Sequence, residues 1–174
     1  GFTATSGVVV ALAAGSATND GTGGVDLISN VENVYGSSLG DTIAGDSGNN
    51  SLHGFQGNDT LLGRDGFDNL NGYEGDDTLN GGGGNDFLWG GDGDDLFVFA
   101  AGDGVDVISS FEAGAGSNDV IDLQALPGFD TFADVLAATS DDGFGDVVID
   151  LGDGNQIHLT GVAESALHAD DFLL

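Results

Sequence analysis

One apolar side chain returns every nine residues through the middle of the chain: Ile43, Leu52, Leu61, Leu70, Leu79, Leu88 and Phe97. Its neighbours are polar in most copies, as at Thr42, Ser51, Thr60, Asn69, Thr78 and Asn80. A polar–apolar–polar triplet predicts a strand of about three residues whose middle side chain faces a core. Between these triplets run glycine and aspartate. Gly36, Gly45, Gly54, Gly63, Gly72, Gly81 and Gly90 open seven repeats of nine residues, with no insertion or deletion from Gly36 to Val98. Three residues after each comes Gly48, Gly57, Gly66, Gly75, Gly84 or Gly93, and only the first repeat breaks this column, with Leu39. The sixth position is Asp41, Asn50, Asp59, Asp68, Asp77, Asp86 and Asp95. Glycine permits close backbone packing and positive φ in a tight loop, and a carboxylate supplies hard oxygen ligands.

These copies resemble the G-G-x-G-x-D-x-U-x nonapeptides of the RTX (haemolysin-type calcium-binding repeat) family. The fullest matches are Gly81-Gly82-Gly83-Gly84-Asn85-Asp86-Phe87-Leu88-Trp89 and Gly90-Gly91-Asp92-Gly93-Asp94-Asp95. The resemblance implies an all-β fold, a right-handed parallel β-roll in which two repeats make one turn. Asp41, Asp59, Asp77 and Asp95 would then line one edge, with Asn50, Asp68 and Asp86 on the other. Ca²⁺, about four to six ions, would lie between successive loops. The implied ligands are the side chains of Asp41, Asp59, Asp68, Asp77, Asp86 and Asp95, and the loop residues Gly54, Gly57, Gly63, Gly66, Gly72, Gly75, Gly81, Gly84, Gly90 and Gly93. Asn58, Asp76 and Asn85 would stand beside them. Asn50, Leu39 and Phe67 depart from the motif, so the first loops are expected to bind weakly and the best sites to lie between Asp59 and Asp95.

Charge sharpens this picture. The chain has 30 acidic residues and a single basic one, Arg64, for a formal net charge of −29. Nucleic acid and anionic membrane surfaces are poor partners for such a chain. Carboxylates stacked about 4.8 Å apart repel by roughly 0.9 kcal/mol per pair in water and about 3.5 kcal/mol at an effective dielectric near 20. The repeat region is therefore not expected to fold without cations. Oxygen-only donors favour Ca²⁺ over Zn²⁺ or Cu²⁺, and flexible loop carbonyls favour it over Mg²⁺. There is no cysteine, hence no disulfide or thiolate chemistry. No apolar run approaches the roughly 18 residues of a membrane-spanning helix.

The flanks divide the chain into three expected segments. Residues 1–35 are expected to be metal-free capping rungs, with a strand from Val8 to Leu12, a turn from Asp20 to Gly24, and short strands carrying Val25, Leu27, Ile28, Val31 and Val34. Residues 36–98 form the β-roll. Residues 99–174 are expected to cap it and to serve as a type I secretion target region. Strands are predicted at Val105–Phe111 and Val120–Leu123, a helix at Phe132–Ala138, and a hairpin of Asp146–Leu151 with Gln156–Thr160. The terminal Asp171-Phe172-Leu173-Leu174 resembles the acidic-then-hydrophobic ends of type I substrates, and it also suits a final strand. Phe87 and Trp89 should face outward, covered by the C-terminal segment. Gly1 suggests a fragment joined to an N-terminal passenger.

Catalytic chemistry is not legible. Gly45-Asp46-Ser47-Gly48 is in frame with the repeat, and His53, His158 and His168 are isolated. No nucleophile, base and orienter come together. The expected function is a non-enzymatic module that folds on calcium after passage through a type I exporter, in the extracellular space, and so stabilises a larger protein. The alternative is a calcium-rigidified surface- or polysaccharide-binding adhesion module, using the Thr42, Thr60 and Thr78 ladder.

Overall fold

The computed structural model describes residues 7–18, 25–116 and 119–174. Their strands form two sheets, of nine and eight strands, that face each other across one apolar file. Successive repeats alternate between the sheets. Thr42–Ala44, Thr60–Gly66, Thr78–Gly84 and Leu96–Val98 stack in parallel in the nine-stranded sheet. Asn33–Tyr35, Ser51–Gln56, Asn69–Glu74 and Phe87–Asp92 do so in the other. Ile43, Leu52, Leu61, Leu70, Leu79, Leu88 and Phe97 are all fully buried between them. The chain therefore has the parallel β-roll architecture that the family resemblance implies.

Several strands run to six or seven residues, longer than the three predicted. Pairing continues into the loops because glycine lets one loop lie flat on the next: Arg64, Asp65 and Gly66 pair with Gly82, Gly83 and Gly84. A Cβ on Gly84, whose φ is +144°, would overlap the Gly66 carbonyl. Phe55, Arg64 and Tyr73 adopt positive φ of 85–87° without being glycine.

The sheets cross both expected boundaries. Val105–Ser109 and Val120–Asp122 add further parallel rungs, and Phe172–Leu173 pairs in parallel with the second of them. The terminal motif is thus the last strand of the nine-stranded sheet. At the N-terminal end, Asn33–Tyr35 is already a rung, and so is Val9–Ala11. The expected strand at Val25–Leu27 is not a parallel rung: it runs antiparallel to Ser16–Thr18, a strand the pattern did not predict, which itself pairs antiparallel with Val9–Ala11. Val25 and Leu27 are exposed, Leu27 at 90%, because the outer strand of a meander has no second sheet to face. The turn expected at Asp20–Gly24 lies outside the described residues. At the C-terminal end the hairpin of Val147–Gly152 and Asn155–Leu159 closes the eight-stranded sheet, with Thr139–Asp141 outside it. The helix Phe132–Ala138 buries Val135 and starts on a capping box of Thr131 and Asp134.

Phe87 and Trp89 face outward as expected, but the C-terminal segment does not cover Phe87, which remains 42% exposed. That segment extends the sheet sideways instead of folding over its face.

Candidate metal centre

Position six is buried in every repeat. The reason is a main-chain bond from the turn before. Asp59 Oδ1 accepts the Asp41 N–H at 2.7 Å, Asp77 Oδ1 that of Asp59 at 2.7 Å, and Asp95 Oδ1 that of Asp77 at 3.0 Å. On the opposite edge Asp68 Oδ1 accepts the Asn50 N–H at 2.7 Å and Asp86 Oδ1 that of Asp68 at 2.8 Å. The two edges are those expected, with partners eighteen residues apart.

One oxygen of each carboxylate is thereby used. The other, Oδ2 of Asp59, Asp68, Asp77, Asp86 and Asp95, is buried and accepts no hydrogen bond. Buried polar atoms are rarely left so, because each forfeits its solvation. These oxygens point at the glycine that opens their own repeat. A Cβ on Gly72 would overlap Asp77 Oδ2 and lie 2.6 Å from the Gly90 carbonyl oxygen of the next turn. Gly63 stands in the same relation to Asp68 Oδ2 and the Gly81 carbonyl, the latter at 2.5 Å. The places at Gly63 and Gly72 each gather a carboxylate oxygen and a main-chain carbonyl oxygen around a residue without a side chain. Hard, oxygen-only donors of this kind suit Ca²⁺. Among the described residues no three acidic, histidine or cysteine side chains converge on one point, so main-chain carbonyls are an essential part of any donor set here.

The first loops differ. Both Asp41 oxygens are engaged: Oδ1 accepts from Val8 N–H at 2.6 Å and Ser37 Oγ at 3.0 Å, and Oδ2 accepts from Ser37 N–H. Asn50 Oδ1 accepts the Asp46 N–H at 2.8 Å. The position-five residues Asn58, Asp76 and Asn85 are exposed and extend the ladders outward, Asn58 and Asp76 on one edge and Asn85 on the other. Asp76 N–H donates to Asn58 Oδ1, Asp94 N–H to Asp76 Oδ1, and Val105 N–H to Asn85 Oδ1, at 3.0–3.2 Å.

Burial, without a counterion, raises the carboxyl pKa values. Those of Asp77, Asp95 and Asp106 are pushed up to about 7, and those of Asp59 and Asp86 to about 6. The bond from the preceding turn's N–H opposes this, and neighbouring carboxylates add to it.

Both edges continue past the last nonapeptide. Asp106 Oδ1 accepts the Asp86 N–H at 2.8 Å, and Asp119 Oδ1 accepts the Asp95 N–H at 3.0 Å. Both are buried, as is Asp103, whose Oδ2 takes the Ala100 N–H at 2.6 Å. Sequence reasoning missed all three. For Asp103 and Asp106 the signal was there in Gly102-Asp103-Gly104-Val105-Asp106-Val107-Ile108, an eighth copy of the motif. It stands twenty residues after its partner instead of eighteen, which hid it from a strict nine-residue register.

Comparison with known proteins agrees with this geometry. The model of the RTX calcium-binding nonapeptide repeat matches residues 35–70, 62–97 and 71–108. No curated protein matches the chain as a whole. Among solved structures, the AlgE6R2 subunit from the Azotobacter vinelandii mannuronan C5-epimerase is 26% identical, with a TM-score of 0.55, over 79% of this chain and 92% of that one. The AlgE6R3 subunit of the same organism's epimerase is 29% identical, with a TM-score of 0.42, over 80% of this chain and 81% of that one. The extracellular lipase LipA from Serratia marcescens is 16% identical, with a TM-score of 0.48; the match spans 90% of this chain and 41% of the lipase. The columns of glycine and buried aspartate, the two parallel sheets and the family match place residues 35–108 of this chain among the RTX calcium-binding nonapeptide repeats.

Proposed function

We propose that calcium is the folding trigger of this module, and that it works outside the cell as the stabilising, exported part of a larger protein. The observation that carries this reading is the set of five buried carboxylate oxygens, spread over both edges, with no hydrogen-bond partner. A metal-free roll must either protonate them or leave them uncompensated. A divalent cation bound between turns satisfies them, so that its binding free energy becomes folding free energy. Asp59, Asp68, Asp77, Asp86 and Asp95 would supply the side-chain oxygens, and the carbonyls of loop residues such as Gly81 and Gly90 the rest. Asp41 and Asn50, already engaged by local donors, would contribute least. Weak extracellular calcium sites work at about 10⁻⁴–10⁻³ M. A module tuned to that range stays open where calcium is scarce and suits passage through a type I exporter. The passenger, the export step and the use of Asp171-Phe172-Leu173-Leu174 as a signal belong to this proposal. No part of it requires catalysis by this chain.

The test is a calcium titration of the chain by far-UV circular dichroism, with magnesium as control. A cooperative rise of β signal between about 0.1 and 1 mM calcium, absent in magnesium, is expected. A chain already fully folded in chelator would overturn the trigger.

A further inference from the structure

Five rings collect where the outer face of the eight-stranded sheet passes into the loops. Tyr35 and His53 stack at 4.8 Å and 9°, Phe55 and Tyr73 at 5.1 Å and 24°. Trp89 meets Tyr73 at 4.9 Å but nearly at right angles, 79°. Phe55 and Tyr73 are register partners, and both hold strained positive φ. The partner of Tyr73 in the next turn is Gly91, where the file of rings stops. Beside it opens a groove of about 250 Å³ lined by the rings of Phe55, Tyr73 and Trp89 and by Gln56, Glu74 and Asp92. Gln56, Glu74 and Asp92 are exposed and in register on three successive turns.

No base lines this groove. Arg64, the only Lys or Arg in the chain, lies in the opposite row of loops. An anion entering would meet two carboxylates and the field of a chain with net charge −29. A hydrated metal ion would use the carboxylates and gain little from the rings. A neutral solute would use the rings and leave the carboxylates without a counter-charge. A cation with hydrocarbon around its charge uses both, through ring faces and Coulomb attraction together.

We propose that the Phe55–Tyr73–Trp89 groove, with Glu74 and Asp92, binds an organic cation of the alkylated or quaternary ammonium class. The test uses the full chain in saturating calcium with choline as probe. Trp89 is the sole tryptophan, so its emission reports the groove directly. Choline is expected to change that emission saturably in the millimolar range. Its uncharged isostere, 3,3-dimethyl-1-butanol, should bind at least fivefold more weakly. The Glu74→Gln/Asp92→Asn chain should lose at least threefold in choline affinity while keeping its calcium-induced β signal. Should that chain fail to fold, broadening of the choline N-methyl resonance by the unaltered chain, set against the isostere, decides the matter. Equal binding of the isostere, tighter binding of a neutral gluco-oligosaccharide, or no saturable change would overturn the proposal. The far-UV signal recorded alongside distinguishes an empty groove from a roll that did not form.

Discussion

At position one of the repeat, a methyl group has nowhere to go. The Cβ of an alanine at Gly72 would overlap Asp77 Oδ2 and press on the Gly90 carbonyl, and a main-chain oxygen cannot swing aside. Gly72→Ala is therefore expected to destabilise the calcium form by about 1–3 kcal/mol, raising the calcium midpoint in the dichroism titration. Gly48→Ala is the control. Its Cβ would meet only the side-chain Oδ1 of Asp46, at 3.2 Å, and its φ is not positive, so a change within about 0.5 kcal/mol is expected. If both variants behave alike, crowding at position one is not what selects glycine. The glycine and aspartate columns were legible because each recurs seven or six times with one physical demand behind it. The strained φ of Phe55, Arg64 and Tyr73 was not legible, since those residue types give no hint of positive φ.

Carboxylates on both edges titrate in an unusual direction. Asp77, Asp95 and Asp106 have folded pKa values near 7, and Asp59 and Asp86 near 6, against 3.8 in the open chain. Between those limits the metal-free fold binds more protons than the unfolded chain. Its stability is then fully present below about pH 4 and is lost as pH rises through 6 to 7. Melting in chelator should be highest near pH 4 and fall toward pH 7.5, whereas calcium, by holding the carboxylates deprotonated, should remove that decline. A melting temperature in chelator that climbs across the same window would contradict the buried ladder. Asp77→Asn should make the slope shallower. The strands of the repeat, the helix and the hairpin could all be read from periodicity and turn residues. The antiparallel course of Ser16–Thr18 and Val25–Leu27 could not, because Ser-Ala-Thr carries no apolar alternation and three residues such as Val-Asp-Leu carry no mark of direction. Asp106 and Asp119 escaped because spacings of twenty and twenty-four residues from their partners, instead of eighteen, break a count of nine without breaking the stack.

Across the whole molecule, the roll is closed by different devices on different sheets. An antiparallel meander ends the nine-stranded sheet at the N-terminal side, and a hairpin ends the eight-stranded sheet at the C-terminal side. Each end matches only one sheet, and consecutive repeats alternate sheets, so the length of the roll has parity. Removing residues 54–71, two repeats, would join Asn71's successor to His53 with every later strand still in its own sheet. Removing residues 54–62 alone would send each later strand to the opposite sheet and present the C-terminal hairpin to the wrong edge. The first deletion is expected to keep calcium-dependent β structure, one turn shorter, and the second to lose it. If the two shortened chains fold equally well, the ends are interchangeable. Otherwise, gain and loss of sequence in this molecule proceed in steps of eighteen residues, and a duplication of nine is as disruptive to it as a frameshift is to a gene.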